Sequence, residues 1–90
     1  MKDTENLELP NPARVRWQCR RGMLELDLLL LSFFDQAYAT LSVEQQEAFV
    51  ALLVFPDQEL YEYLIGKLQP EAPEFQAIVQ RIREHSRWAL

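Results

Sequence analysis

The sequence has very few of the residues from which metal, phosphate and catalytic sites are built. It contains one cysteine, one histidine and two glycines in 90 residues. Cys19 and His85 cannot supply a zinc ligand set, and Gly22 and Gly66 are too far apart to form a phosphate-binding loop. His85 and Ser86 are adjacent on a predicted helix, so their side chains diverge, and His85 is expected to be solvated within its charged surroundings. We therefore expect no independent active site and no cofactor bound by the chain itself.

The sequence also lacks the features of exported and membrane-inserted proteins. A lone cysteine excludes an internal disulfide, which is typical of a reducing compartment, and Cys19 is interpreted as a small apolar core residue. The first ten residues are acidic and contain no apolar signal segment. The most apolar stretch, residues 28–34, is far shorter than the ~20 residues that span a bilayer. We expect a cytoplasmic protein without direct membrane insertion.

Between Asn11 and Gly66, positive charge is confined to a short segment of the chain. The formal net charge is -5, which argues against binding to nucleic acid, because such proteins carry a basic excess. No Lys or Arg occurs between Gly22 and Gly66, a segment with eight acidic residues. Four arginines without an acid among them stand just before it: Arg14, Arg16, Arg20 and Arg21. The sequence thus predicts one basic element attached to an acidic body.

Few glycines and β-branched residues, with abundant Leu, Glu, Gln, Arg and Ala, favour helix over strand. Asn11 followed by Pro12 predicts a first helix over residues 12–20, and a nearly all-apolar second helix follows over residues 23–39. A capping box from Ser42 to Gln45 opens a third helix, which Pro56 stops. Asp57 is predicted to cap a fourth helix that ends at Gly66, and a fifth begins near Pro73. We predict an all-α single-domain five-helix bundle over residues 12–88, preceded by a flexible N-terminal segment, residues 1–11.

Three features around the first helix allow both a structural and a functional interpretation. Trp17 either folds back over the core or forms an exposed binding surface with its neighbouring arginines. In Arg21-Gly22-x-x-Glu25, Glu25 either bonds back to the helix cap as the third helical residue or contacts a partner. Asp27 falls in the apolar sector of the second helix, where it is either a carboxylate held by an Arg or by backbone donors, or part of a polar docking notch.

The run from Arg14 to Asp27, RVRWQCRRGMLELD, resembles the signature of the succinate dehydrogenase assembly factors, which carry an Arg-Gly-x-x-Glu motif. The similarity extends over residues 13–87. A bare Arg-Gly-x-x-Glu is a weak signal, but its embedding in this run makes it specific. One departure is Tyr63, where the family commonly has Trp, and we expect this difference to change local packing only.

This resemblance implies a small helical bundle that binds the flavoprotein subunit of succinate dehydrogenase, and in some bacteria that of fumarate reductase. Such a protein assists covalent attachment of FAD to a histidine of that subunit. It is not an enzyme itself, and the FAD belongs to its partner. Six residues would form the flavoprotein-binding surface: Arg21, Gly22 and Glu25 by the motif, with Trp17, Arg20 and Asp27 as neighbours. We expect the protein to be a monomer.

Two other functions can be weighed against this one. Family members have also been described as antitoxins, so a regulator that binds a toxin or another protein is the alternative. An acid–base enzyme that uses Glu25 and Asp27 is disfavoured, because these residues lie about 200° apart on a helix.

Overall fold

The computed structural model describes the backbone of residues 9–89 and the side chains of residues 9–86. These residues form five α-helices and no strand, which confirms the predicted all-α five-helix bundle. The helices are α1 (Pro12–Gln18), α2 (Leu24–Ala37), α3 (Val43–Leu52), α4 (Asp57–Leu64) and α5 (Pro73–Ala89), with a 3-10 turn (Tyr38–Thr40) after α2. Most of the predicted flexible segment, residues 1–8, lies outside the described part of the chain.

The predicted helix starts are confirmed for α1 and α3 but not for α4. The Asn11 side chain accepts a hydrogen bond from the Ala13 amide at 2.7 Å, and Ser42 and Gln45 form both bonds of a capping box. The prediction that Asp57 caps α4 is wrong. Pro56 is the N-cap residue and Asp57 is the first residue of the helix. The Asp57 carboxylate makes no capping bond and instead accepts a hydrogen bond from Arg21 in the α1–α2 loop.

Both glycines adopt the left-handed conformation in which a helix ends or a tight turn forms. The φ angles are 85° for Gly22 and 83° for Gly66. At the end of α4 the Gly66 amide bonds to the Tyr63 carbonyl and the Lys67 amide to the Glu62 carbonyl, which is the Schellman arrangement. The prediction that Gly66 ends this helix is therefore confirmed.

Two helices are shorter than the sequence predicts. The α1 helix ends at Gln18, because the amides of Cys19 and Arg20 turn back to carbonyls only three residues earlier. The α2 helix ends at Ala37, where the chain tightens into the 3-10 turn. Arg20 and Arg21 therefore lie in a loop rather than on the last turn of a helix.

The core is formed by α2, α3, α4 and α5, and α5 packs against the other three. Aromatic rings of α2, the 3-10 turn and α3 meet at its centre, with the Phe33 and Phe49 centroids 5.6 Å apart and those of Tyr38 and Phe49 5.5 Å apart. Val15 and Cys19 are fully buried and fix the short α1 helix to this core. The opposite side of α1 consequently faces solvent.

The single histidine is not the solvated residue that the sequence suggested. His85 is half-buried, its ring lies edge-on to Phe33 at 5.6 Å, and its Nε2 is 3.2 Å from the Ser32 hydroxyl. This prediction was wrong because His85 continues the face of α5 that carries Ile78 and Ile82, which packs against the core.

Candidate functional site

The Arg-Gly-x-x-Glu motif lies at the junction between α1 and α2, and Asp27 holds that junction in place. One carboxylate oxygen of Asp27 accepts the Arg21 amide at 2.7 Å, and the other accepts the Gly22 amide at 3.3 Å. Asp27 is half-buried. Its interpretation as a carboxylate held by backbone donors is therefore confirmed, but its burial is only partial. The bonds fix the loop in which Gly22 takes its left-handed conformation.

The Arg21 side chain joins two loops through a set of charge-assisted hydrogen bonds. Its Nε donates to Asp57 at 2.8 Å, and its two terminal nitrogens donate to the backbone carbonyls of Gln18 (3.0 Å), Leu53 (2.8 Å) and Phe55 (3.1 Å). Only 15% of the side chain is exposed. Arg21 is therefore a structural residue, since its side chain connects the α1–α2 loop to the α3–α4 loop.

Glu25 is exposed and does not cap α2. Met23 is the N-cap residue and makes no side-chain capping bond, so Glu25 is the second helical residue rather than the third. Its Oε1 accepts a hydrogen bond from the Tyr61 hydroxyl of α4. This bond is the main reason that the pKa of Tyr61 is raised above its usual value of 10.0. The capping interpretation of Glu25 is therefore wrong.

Arg21 and Glu25 bind successive turns of the same helix. Their partners on α4, Asp57 and Tyr61, are four residues apart and so lie on one face. Neither partner was predicted from the sequence. The available signal was an acid and a tyrosine one turn apart, at the same spacing as the Arg and Glu of the motif. This matching spacing was overlooked because Asp57 was already interpreted as the cap of the fourth helix.

Trp17 is exposed, so the interpretation in which it folds back over the core is wrong. Its exposed fraction is 71%, and the Arg20 guanidinium carbon lies 5.9 Å from the centroid of the indole ring, within range of a cation–π contact. Arg16, the residue before Trp17, forms an ion pair with Asp35 at 2.8 Å. The side of α1 that faces solvent is thus an aromatic surface flanked by guanidinium groups.

An open groove of about 450 Å³ lies between this surface and α3. Apolar side chains line the groove on both sides. The lining residues are Pro10, Trp17, Gln18, Arg20, Arg21, Val50, Leu53 and Val54. The structure thus brings Trp17, Arg20 and Arg21 together in one groove. Glu25 is not part of the groove lining and lies beside Tyr61 instead.

Cys19 is a structural residue, as predicted. It is fully buried, and burial raises the pKa of its thiol from 9.0 to about 12. Among the described residues, no three His, Cys, Asp or Glu side chains are grouped as a metal ion would require. No helix in the same part of the chain is both long and apolar enough to cross a membrane.

Tyr63, the one departure noted from the family pattern, is buried against Phe55 and donates its hydroxyl to Glu59. This hydrogen bond is the main reason that the pKa of Tyr63 is raised to about 12. The tyrosine ring lies in the core, and its polar atom has a partner.

The protein is a small five-helix bundle whose Arg-Gly-x-x-Glu motif lies at the junction of its first two helices. These two features together place it in one class of small helical proteins. The chain belongs to the family described as the flavinator of succinate dehydrogenase, which it matches over residues 13–86.

Several relatives named FAD assembly factor SdhE are similar to it over most of both chains. The relative from Coxiella burnetii is 44% identical over 73 residues, which are 81% of this chain and 89% of the relative. The one from Shewanella oneidensis is 46% identical over 77 residues (86% and 94%), and the one from Yersinia pestis is 36% identical over 81 residues (90% and 92%).

Proposed function

We propose that the protein is an assembly factor that binds the flavoprotein subunit of succinate dehydrogenase and promotes covalent attachment of FAD to it. The observation that carries this proposal is the Arg-Gly-x-x-Glu loop, with an exposed Glu25 carboxylate, in a chain of the flavinator family. The names of its relatives, FAD assembly factors, support the same function.

We assign different roles to the six site residues according to their burial and bonding. Trp17, Arg20, Gly22 and Glu25 are exposed and form the proposed contact surface. The Arg21 side chain and Asp27 are half-buried and bonded within the protein, so they hold that surface in shape. An aromatic ring beside arginines is the composition favoured at the centre of protein interfaces.

The proposed mechanism requires no reaction step on this chain. Covalent flavinylation needs a histidine of the flavoprotein subunit and the isoalloxazine ring to be held in reactive geometry. An assembly factor promotes this step when it binds one domain arrangement of that subunit more tightly than the others. We propose that FAD stays on the partner, and that the bundle contributes a preformed surface and not a catalytic group.

The proposal also includes a second partner, the compartment and the oligomeric state of the protein. The fumarate reductase flavoprotein, which the family resemblance also implies, would be a second client, and the protein would act as a cytoplasmic monomer. The alternative of an antitoxin-type regulator receives no support from the relatives, which are named for FAD assembly.

Complementation tests the proposal. The flavoprotein subunit is expressed in cells without their own assembly factor, with and without this protein, and covalent flavin is read as fluorescence of the subunit in a denaturing gel. We expect fluorescence only when this protein is present. We expect Glu25→Gln, which removes the negative charge and keeps the side-chain shape, to fold normally and to lose most of this fluorescence.

Glu44→Gln provides a matched control, because Glu44 is also exposed and is also the second residue of its helix, α3. This variant should support wild-type fluorescence. Full flavinylation by a stably folded Glu25→Gln protein would contradict the assignment of Glu25 to the contact surface. Equal fluorescence with and without the wild-type protein would contradict the function itself.

A further inference from the structure

Glu25 is held by a neighbouring helix even though it is exposed. An exposed Glu near a helix N-terminus ordinarily samples several rotamers or turns back to the free backbone amides of the first turn. In this protein its Oε1 accepts the Tyr61 hydroxyl from α4 instead. The carboxylate is therefore fixed before any partner binds.

Tyr61 is well suited to hold another side chain in place. Its ring is half-buried and packs against the core, and a tyrosine has only two side-chain torsions to restrict. The Tyr61 hydroxyl is protonated at neutral pH and so remains a donor, and its bond to Glu25 raises its pKa further above the usual value of 10.0. A carboxylate accepts about four hydrogen bonds, so one bond to Tyr61 leaves Glu25 able to accept donors from a partner.

The α4 helix fixes both charged residues of the motif in the same way. Asp57 holds the Arg21 guanidinium, and Tyr61, one turn later, holds the Glu25 carboxylate. The two contacts keep the charged groups at either end of Arg21-Gly22-x-x-Glu25 on one rigid element.

We infer that Tyr61 is a positioning residue for partner binding, whose hydroxyl fixes the Glu25 carboxylate in the orientation that meets donor groups of the flavoprotein subunit. This inference rests on the proposed function. Without the hydroxyl, Glu25 must be ordered at the moment of binding, and that cost weakens the complex. Because a single exposed hydrogen bond is involved, we expect about 2- to 10-fold weaker binding.

Tyr61→Phe removes only the hydroxyl and leaves the packed ring in place. The test uses the full-length protein and the purified flavoprotein subunit with FAD, and it measures the rate of covalent flavin attachment against the concentration of the assembly factor. We expect the concentration for the half-maximal rate to rise about 2- to 10-fold, while the maximal rate stays unchanged. The melting temperature should stay close to the wild-type value.

Tyr63→Phe is the matched control. It removes the hydroxyl of the other tyrosine on α4 that donates to a glutamate, Glu59, outside the motif. We expect the half-maximal concentration of this variant to equal that of the wild type. A similar increase for both variants would overturn the inference, because the effect would not depend on Glu25.

The Glu25→Ala background separates this inference from the proposed function. If Glu25→Ala weakens flavinylation and Tyr61→Phe has no additional effect in that background, the hydroxyl acts through Glu25 as inferred. If Glu25→Ala weakens flavinylation but Tyr61→Phe alone leaves the half-maximal concentration unchanged, the inference fails and the proposed contact surface stands. If Glu25→Ala has no effect, the inference and the assignment of Glu25 to the contact surface both fail, whereas the proposed function fails only if flavinylation does not depend on the protein.

Discussion

Replacing Arg21 tests whether its side chain stabilises the bundle. Arg21→Ala removes four hydrogen bonds from a side chain that is only 15% exposed, and it leaves the carbonyls of Leu53 and Phe55 and the carboxylate of Asp57 without this donor. Hydrogen bonds to charged groups contribute roughly 1.5–3 kcal/mol each, but water replaces part of them at this half-buried position. We therefore expect the free energy of unfolding to fall by about 3 kcal/mol, a large share of the roughly 5–15 kcal/mol of a typical domain.

Urea unfolding followed by circular dichroism at 222 nm measures this change, and thermal unfolding should show a drop on the order of 10–20 °C. Arg16→Ala is the control, because Arg16 also forms a two-bond pair with an aspartate, Asp35, but both side chains are nearly half exposed. Its unfolding midpoint should change little, since exposed ion pairs contribute weakly. If Arg21→Ala and Arg16→Ala unfold at the same urea concentration, the structural role assigned to Arg21 is refuted.

Four further predictions concern stability and reactivity. Asp27→Ala should lower the free energy of unfolding measured in urea by ~1–3 kcal/mol, because two backbone amides lose their acceptor. Asp27→Asn keeps an acceptor and should cost less. Equal unfolding midpoints for the wild type and Asp27→Ala would contradict the bonding. Cys19 should resist alkylation by iodoacetamide at pH 8 until urea unfolds the protein, and rapid labelling of the native state would disagree with its burial. Because the folded pKa of Cys19 is about 12 and its ordinary value is 9.0, the unfolded thiol loses its proton first, so stability should fall as pH rises from about 9 towards 12. Gly22→Ala should cost about 1–2 kcal/mol through its positive φ alone, since an added Cβ meets no atom within 4 Å; an unchanged melting temperature would show that the loop relaxes.

Local signals in the sequence were sufficient to predict the helical architecture. Asn11 before Pro12, the Ser42–Gln45 capping box and Gly66 each act within a few residues, so the sequence neighbourhood contains all that they need. The start of the fifth helix near Pro73 was likewise predicted from the sequence and agrees with α5. The errors at the ends of α1 and α2 are shifts of one or two residues, where 3-10 hydrogen bonds replace helical ones.

The tertiary contacts of the site were not predictable in the same way. Arg21 bonds to the carbonyls of Leu53 and Phe55, 32 and 34 residues away, and a backbone carbonyl has no sequence signature. The capping interpretation of Glu25 was a sound local expectation, but a tyrosine 36 residues later competes for the same carboxylate. These contacts depend on how α4 packs beside the α1–α2 loop, which local sequence patterns do not reveal.

The separation of charge along the chain has a consequence for how a partner is first encountered. Arg14, Arg16 and Arg20 are exposed on or beside α1, whereas the segment between Gly22 and Gly66 contributes eight acids and no Lys or Arg. Such a molecule has an electric dipole, and it rotates during diffusion so that α1 leads towards a negatively charged surface. If α1 meets an acidic surface of the flavoprotein subunit, added salt should slow association far more than it speeds dissociation. Orientation during the approach would then precede, and be independent of, the close contacts that determine how long the complex lasts.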